Sequence, residues 1–161
     1  MTWELAAGAD PNASVHRVTP DGEAFQFIPL CQAAGRGHLE AARLLLDAGA
    51  DPSRADGAGT TPLMMAAITN VAAVDGQLEL LRLLLGRGAA IDAVRDGHTA
   101  FHLACMNGQP ECAEALARAG CDVRLKTKGG RTGREVAEAK GHTAVMERLR
   151  ALVADQLRAP R

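Results

Sequence analysis

The sequence contains no tyrosine, three phenylalanines and one tryptophan among its 161 residues. Single-core β-sandwiches and barrels use many more aromatic and β-branched side chains, so this scarcity argues against an all-β protein. No apolar run approaches the roughly 20 residues of a membrane-spanning helix, and no basic stretch followed by an apolar one marks a signal peptide. We therefore expect no membrane insertion and a cytoplasmic protein, with the nucleus not excluded.

Cysteine is scarce as well, and the four residues present form no CxxC pair. They are Cys31, Cys105, Cys112 and Cys121. This spacing is wrong for a common zinc site, and the number is too small for a disulfide scaffold. We expect them to act as small buried apolar side chains, and we expect no metal and no cofactor. Because nucleophile-elbow, Walker-loop and HExxH motifs are also missing, we predict that the chain is not an enzyme.

Charge is nearly balanced overall, at −1, but it is unevenly distributed. Residues 1–80 carry 4 basic and 10 acidic side chains, a net −6, whereas residues 81–161 carry 14 and 9, a net +5. An elongated fold would keep these halves apart as an acidic and a basic end. Alanine and leucine, both strong helix formers, are the two commonest residues, so we expect that fold to be helical.

Two short phrases recur along the chain. The first contains a Gly with an Asp two to four residues later and occupies Leu5–Asn12, Leu46–Ser53, Leu85–Asp92 and Ala117–Arg124. The second occupies Ile28–Ala34, Thr61–Ala67, Thr99–Cys105 and Thr132–Glu138, at steps of 33, 38 and 33 residues. Such periodicity predicts a stack of short helical units, because one unit cannot bury its apolar face alone.

Each unit has the start and stop signals of two helices. Thr61, Thr99 and Thr132 are predicted N-caps, and Pro62 suits the first helical position, where no N–H is needed. A glycine after each helix permits a left-handed turn. Polar residues between units predict short hairpins.

Together these phrases resemble the ankyrin repeat, whose pattern is roughly D-x-x-G-x-T-P-L-H-x-A-A-x-x-G-H-x-E-V-V-x-L-L-L-x-x-G-A-D. The resemblance extends over about residues 3–153. It implies an all-α solenoid of stacked helix-turn-helix pairs joined by short β-hairpin loops. It also implies that His38, His102 and His142 connect turns to helix starts by hydrogen bonds.

The resemblance predicts a single ankyrin-repeat domain over residues 1–158. Its parts are a partial first unit at 1–22, repeats at about 23–55, 56–94, 95–126 and 127–158, and a tail at 159–161. Because the chain opens in what would be a second helix, either an upstream part is missing or Trp3 and Ala13–Gly22 form a cap. Arg148 and Arg150 fall where interior repeats have Leu, which is typical of a capping repeat. The insertion Asn70–Asp75 is expected to lengthen a helix-to-helix connection.

In ankyrin arrays the hairpin tips and the exposed sides of the first helices bind partner proteins. The matching positions here, with the two loop-borne phenylalanines, are Phe25, Phe27, Arg36, Thr60, Thr69, Arg95, His98, Met106, Asn107, Lys126, Lys128, Arg131 and Lys140. The phenylalanines either anchor a partner or fold under the long loop. The basic group from Lys126 to Lys140 either docks an acidic segment or is a solvated face.

These observations predict a monomeric, non-catalytic module for protein–protein interaction, with an unidentified partner. An alternative is an ankyrin segment of a larger protein, where it would regulate or target an attached enzyme. A small anionic ligand or nucleic acid at the basic end is a third interpretation. It is disfavoured for nucleic acid because no stacking aromatics accompany the basic residues.

Overall fold

A computed structural model of the chain describes residues 9–18, 20–22, 24–68 and 74–158. In these ranges the chain is mostly helical with little sheet. The elements are β1 (Val15–Val18), β2 (Ala24–Phe27), α1 (Pro29–Gly35), α2 (Leu39–Asp47), α3 (Pro62–Ile68), α4 (Val74–Gly86), α5 (Ala100–Met106), α6 (Pro110–Arg118), α7 (Gly133–Ala139) and α8 (Thr143–Arg158).

The helix starts follow the capping chemistry of the sequence. Thr99 and Thr132 each form a complete capping box, with His102 and Glu135 as the reciprocal partners. Thr61 Oγ1 accepts a hydrogen bond from the Met64 N–H at 3.3 Å, just before α3. These bonds satisfy N–H groups that would otherwise lack partners in the first helical turn.

Glycines end the helices as expected. The glycine after a helix has a φ between +66° and +94° at Gly37, Gly49, Gly88, Gly108, Gly120 and Gly141. This left-handed conformation is disfavoured for residues with a Cβ atom, so each position directs the chain into its next segment.

Close contacts divide the structure into two compact units, one ending at Ala90 and the other beginning at Ile91. In the first unit, α1 packs against α2 and α3, and α4 packs against α2 and α3. Its core contains the fully buried side chains of Leu30, Leu63, Leu80 and Leu84. Burying one such side chain stabilises a fold by about 1.5–3 kcal/mol.

The second unit repeats this arrangement. Here α5 packs against α6 and α7, and α8 packs against α6 and α7. Phe101, Leu116 and Val145 are buried at its centre. Arg148 on α8 forms ion pairs with Glu111 at 3.0 Å and with Glu114 at 3.1 Å. This charged residue therefore connects α8 to α6.

One polar position of the first phrase connects consecutive repeats through the backbone. Asn12 Oδ1 accepts from the Asp51 N–H at 2.7 Å, and Ser53 Oγ accepts from the Ala90 N–H at 2.8 Å. In the second unit Asp92 Oδ1 accepts from the Asp122 N–H at 3.1 Å. The acceptor is always a short polar side chain, which fits the tight space between successive loops.

The segment Ala13–Gly22 shows the main difference from expectation, because most of it belongs to a β-hairpin rather than a loop. Strand β1 pairs antiparallel with β2, with Val15 opposite Phe27. The alternation Phe25-Gln26-Phe27 in β2 and the intervening Pro20-Asp21-Gly22, with Gly22 at φ +86°, are signals for such a hairpin. The hairpin precedes α1, so Phe25 and Phe27 lie on a strand and not on a loop.

Some expectations fall on residues outside the described ranges. These are the partial helix before Ala9 with Trp3, the greater part of the insertion Asn70–Asp75, and the tail 159–161. The single-domain interpretation and the monomeric state stay predictions. Among the described residues, no helix is long and apolar enough to cross a membrane.

Gly133, the first residue of α7, tests the packing of α7 against α5. A Cβ added there would lie 2.6 Å from Phe101 Cε1 and 3.2 Å from Cys105 Sγ. We expect Gly133→Ala to lower the free energy of unfolding by about 1–3 kcal/mol, because the ring must move within a packed core. Denaturant-induced unfolding measures this change.

Gly86→Ala is the matched control, since Gly86 ends α4 and a Cβ there meets no atom within 4 Å. Equal stability of the two variants would show that α5 and α7 are less tightly packed than described.

Candidate functional site

The hairpin tips between helix pairs are held by short backbone hydrogen bonds. In the first unit the Asp56 N–H donates to the Thr60 carbonyl at 3.0 Å. In the second unit Arg95 and His98 exchange two backbone bonds of 2.8 and 2.9 Å, and the Thr127 N–H donates to the Arg131 carbonyl at 2.8 Å. Each tip therefore presents its side chains from a defined backbone, which reduces the entropy lost when a partner binds.

His102 positions the last of these tips. It is buried at the start of α5, where its Nδ1 accepts from the Thr99 N–H at 3.3 Å. Its Nε2 donates to the Leu125 carbonyl at 2.9 Å, immediately before the tip that begins at Lys126. A carbonyl can only accept, so this bond requires the proton on Nε2. Burial is the main reason that the pKa of His102 is lowered from its ordinary value of 6.5.

His142 has a similar role at the other end of the helices. Its Nε2 donates to the Met106 carbonyl at 3.1 Å, connecting the turn before α8 to the end of α5. His102 and His142 thus make the connections that the resemblance implied.

The predicted site residues of the second unit lie on its hairpin tips and at the ends of α5 and α7. Four cationic side chains are exposed: Lys126, Lys128, Arg131 and Lys140. The half-buried residues are Arg95, His98, Met106 and Asn107. Lys140 is the C-cap of α7, and Asn107 is the C-cap of α5, where its Nδ2 donates to the Leu103 carbonyl at 2.8 Å.

Two carboxylates that the sequence analysis did not weigh stand among these cations. Asp96 lies 3.5 Å from Arg95 Nε and 3.8 Å from Lys128 Nζ. Glu135 accepts bonds from the Thr132 N–H at 2.7 Å and the Thr132 hydroxyl at 2.9 Å. These bonds are the main cause of its lowered pKa, and the charges of Lys126 and Arg131 contribute further. The positive field of the tip is therefore weaker than a count of its cations indicates.

The predicted residues of the first unit are more scattered. Arg36 is exposed at the C-cap of α1, and Phe27 is half-buried on β2. The backbone of Phe25 pairs with Arg17, but its side chain is outside the description. Thr60 is only 1% exposed, which leaves it almost no surface for a partner. Thr69 lies outside the described residues.

The four cysteines are all buried and free. Burial raises the pKa of Cys31, Cys105 and Cys121 to about 12 and that of Cys112 to about 11. A thiol with such a pKa is a poor nucleophile and metal ligand at neutral pH. Over the described part of the chain, no three His, Cys, Asp or Glu residues are grouped so that they could hold a metal ion.

Comparison with known families agrees with this architecture. Residues 69–156 match a family model described as ankyrin repeats in three copies, and residues 30–70 match one described as ankyrin repeats in many copies. The chain belongs to the ankyrin-repeat family. The predicted fold class, built from stacked helix-turn-helix pairs, is confirmed.

Relatives of this ankyrin-repeat protein include both short and long chains. Cyclin-dependent kinase 4 inhibitor B of Bos taurus is 33% identical over 128 residues, which are 78% of this chain and 92% of that protein. Ankyrin repeat domain-containing protein 63 of Homo sapiens is 42% identical over 89 residues, which are 54% of this chain. E3 ubiquitin-protein ligase XB3 of Oryza sativa is 37% identical over 95 residues. The chain spans only 23% and 20% of the last two proteins.

The buried His102 predicts a pH-dependent stability. Its pKa is lower in the folded chain than the ordinary 6.5, so below about pH 6.5 the unfolded chain binds more protons than the folded one. The neutral His102 makes its full contribution to the free energy of unfolding above that pH, and this contribution decreases as the pH falls toward the lowered pKa of the folded chain. We expect the free energy of unfolding to fall between about pH 7.5 and about pH 5.5, and to fall less in a His102→Gln variant.

Denaturant titrations at both pH values measure this effect, with His16→Gln at the exposed His16 as the matched control. For each variant the change in the free energy of unfolding between the two pH values is compared, because His102→Gln also removes capping bonds at every pH. The same pH dependence in His102→Gln and the wild-type chain would contradict the assignment.

Proposed function

We propose that this ankyrin-repeat chain is a non-catalytic module that binds a partner protein through the hairpin tips and helix ends of its second unit. The observation that carries the proposal is the tip Lys126–Arg131. It is anchored by the buried His102 and presents exposed cations from a hydrogen-bonded turn. A rigid scaffold with variable exposed side chains is the arrangement by which repeat proteins form binding surfaces.

The cations of this tip form no strong ion pairs among the described residues of the chain. Lys128 and Asp96 are 3.8 Å apart, and their side chains are 74% and 72% exposed. An ion pair so exposed to water contributes between zero and about 1 kcal/mol. Glu135 is held by Thr132 through two hydrogen bonds. Lys126, Lys128 and Arg131 therefore remain available to carboxylates of a partner, and Lys140 extends the surface at the end of α7.

The relatives support a protein as the ligand. The name of cyclin-dependent kinase 4 inhibitor B gives that protein a protein target, and this chain spans 92% of it. We infer that the partner presents an acidic segment to the tip.

A second candidate function is a regulatory or targeting segment within a larger protein. It is favoured by the relatives of which this chain spans a quarter or less, including a ubiquitin ligase. In that case the binding surface would be the same, and it would bring the bound partner protein to an attached domain.

Charge reversal at the tip tests the proposed surface. We expect Lys128→Glu with Arg131→Glu to weaken binding of the captured partner by about tenfold or more, equal to about 1.4 kcal/mol. The physical reason is that two attractive charges become repulsive toward an acidic segment. Affinity capture from native lysate identifies the partner, and titration calorimetry with the purified partner measures the affinity.

The matched control is Arg43→Glu with Arg82→Glu, which changes the net charge equally on α2 and α4. Equal affinities of the two double variants would show that the tip is not the binding surface. Capture of nucleic acid in place of a protein, with a steep loss of affinity as salt is added, would also overturn the proposal.

A further inference from the structure

The second unit contains a groove that the tip surface does not include. It lies between the loop that follows α6, the first turn of α7 and the C-terminal half of α8, and its volume is about 640 Å³. Side chains of Phe101, Leu149 and Leu152 form its apolar floor. Clefts that hold small ligands have volumes of about 300–1,000 Å³, so this groove is large enough to take a few side chains of a ligand.

Two exposed valines extend this apolar surface. Val123 on the loop is 43% exposed, and Val153 on α8 is 55% exposed. Both rank among the few large apolar side chains that the described residues leave exposed. Apolar surface that is contiguous and bordered by polar residues is typical of an interaction site.

The border of the groove is positively charged. Its charged lining residues are Arg124, Lys126, Arg134 and Arg150. No carboxylate is among the described lining residues. Arg124 forms an ion pair with Asp122 at 3.3 Å, and the arginine side chain is 89% exposed. Water screens this pair strongly, so most of the positive charge is available to a ligand.

Two of these arginines replace apolar residues of the other repeats. Arg134 stands at the position of Leu30, Leu63 and Phe101, and Arg150 stands at the position of Leu46 and Leu85. A capping repeat would need polar residues on its outer face, but any mixture of charges would meet that need. Among the described lining residues the charged side chains are all cations, and they surround the exposed Val123 and Val153, which is more specific than capping requires.

We propose that this groove binds a short acidic, amphipathic segment of a partner protein. Apolar side chains of the segment contact the exposed Val123 and Val153 and the edges of Leu149 and Leu152, and its carboxylates pair with the surrounding cations. Arginine suits this role because its planar guanidinium can form two parallel hydrogen bonds with one carboxylate. Nucleic acid fits less well, since Phe101, the one aromatic ring among the described lining residues, is 2% exposed and cannot stack on a base.

This proposal stands apart from the tip surface, with which it shares Lys126 alone. The full chain is used to select binders from a phage-displayed library of random peptides. We expect selected peptides to be enriched in Asp and Glu interspersed with Leu, Ile or Phe. The affinity of one synthetic selected peptide, measured by fluorescence anisotropy, should fall about tenfold or more in Arg134→Glu with Arg150→Glu.

The tip variant Lys128→Glu with Arg131→Glu is the control, and it should keep the peptide affinity within about twofold. Arg134→Gln with Arg150→Gln removes the charges without adding new ones, and it should give an intermediate loss. Circular dichroism and thermal unfolding confirm that each variant is folded. Val153→Ser tests the apolar part, because it should weaken the peptide while leaving all cations in place.

Several results would overturn the proposal. These are peptides without acidic enrichment, no selected peptide, or an affinity that is unchanged in the Arg134 and Arg150 variants. Stronger binding to anionic vesicles or duplex DNA than to the peptides would do the same. Loss of affinity in the tip variant alone would assign the peptide to the tip surface and leave the protein-binding function intact.

Discussion

The structure depends on one constraint: a single pair of short helices cannot bury its apolar face without a second pair. The first helices satisfy it by packing closely, α1 against α3 and α5 against α7. Small side chains make this approach possible, and the alanine at the sixth position of the second phrase is buried in all four repeats, at Ala33, Ala66, Ala104 and Ala137. Gly133 shows how tight the contact is, since even a methyl group there would overlap the Phe101 ring. The loops and tips are then free to vary, because they contribute little to this core.

Polar side chains fix the positions of the loops relative to the helices by hydrogen bonds to the backbone. His102 is buried with the core of the second unit, yet both of its ring nitrogens bond to backbone at the edges of the helix layer. A buried polar group costs free energy unless it is hydrogen-bonded, so this arrangement favours one position for the following tip. The short acceptors Asn12, Ser53 and Asp92 do the same between successive loops. Preorganised loops of this kind lose little entropy on binding, which is why we place the function on them.

The second unit carries two distinct basic surfaces. The tip surface is polar and contains carboxylates near its cations, whereas the groove has an apolar floor and only cations among the charged residues described in its lining. We therefore propose different ligands for the two surfaces: charge pairing with the rim of a partner at the tip, and a segment that inserts apolar side chains in the groove. A partner that used both would gain affinity from the connection between its two contacts.

The sequence by itself determined the repeat, the helix pairs, the threonine caps and the glycine turns, because these depend on residues close together in the chain. It also identified the basic character of the tip residues. Tertiary structure decided the rest. The sequence did not show that Thr60 is buried, that Asp96 and Glu135 stand among the cations, or that Arg134 and Arg150 border one apolar groove. Those properties arise from side chains that are distant in the chain and are brought together only when helices of successive repeats pack.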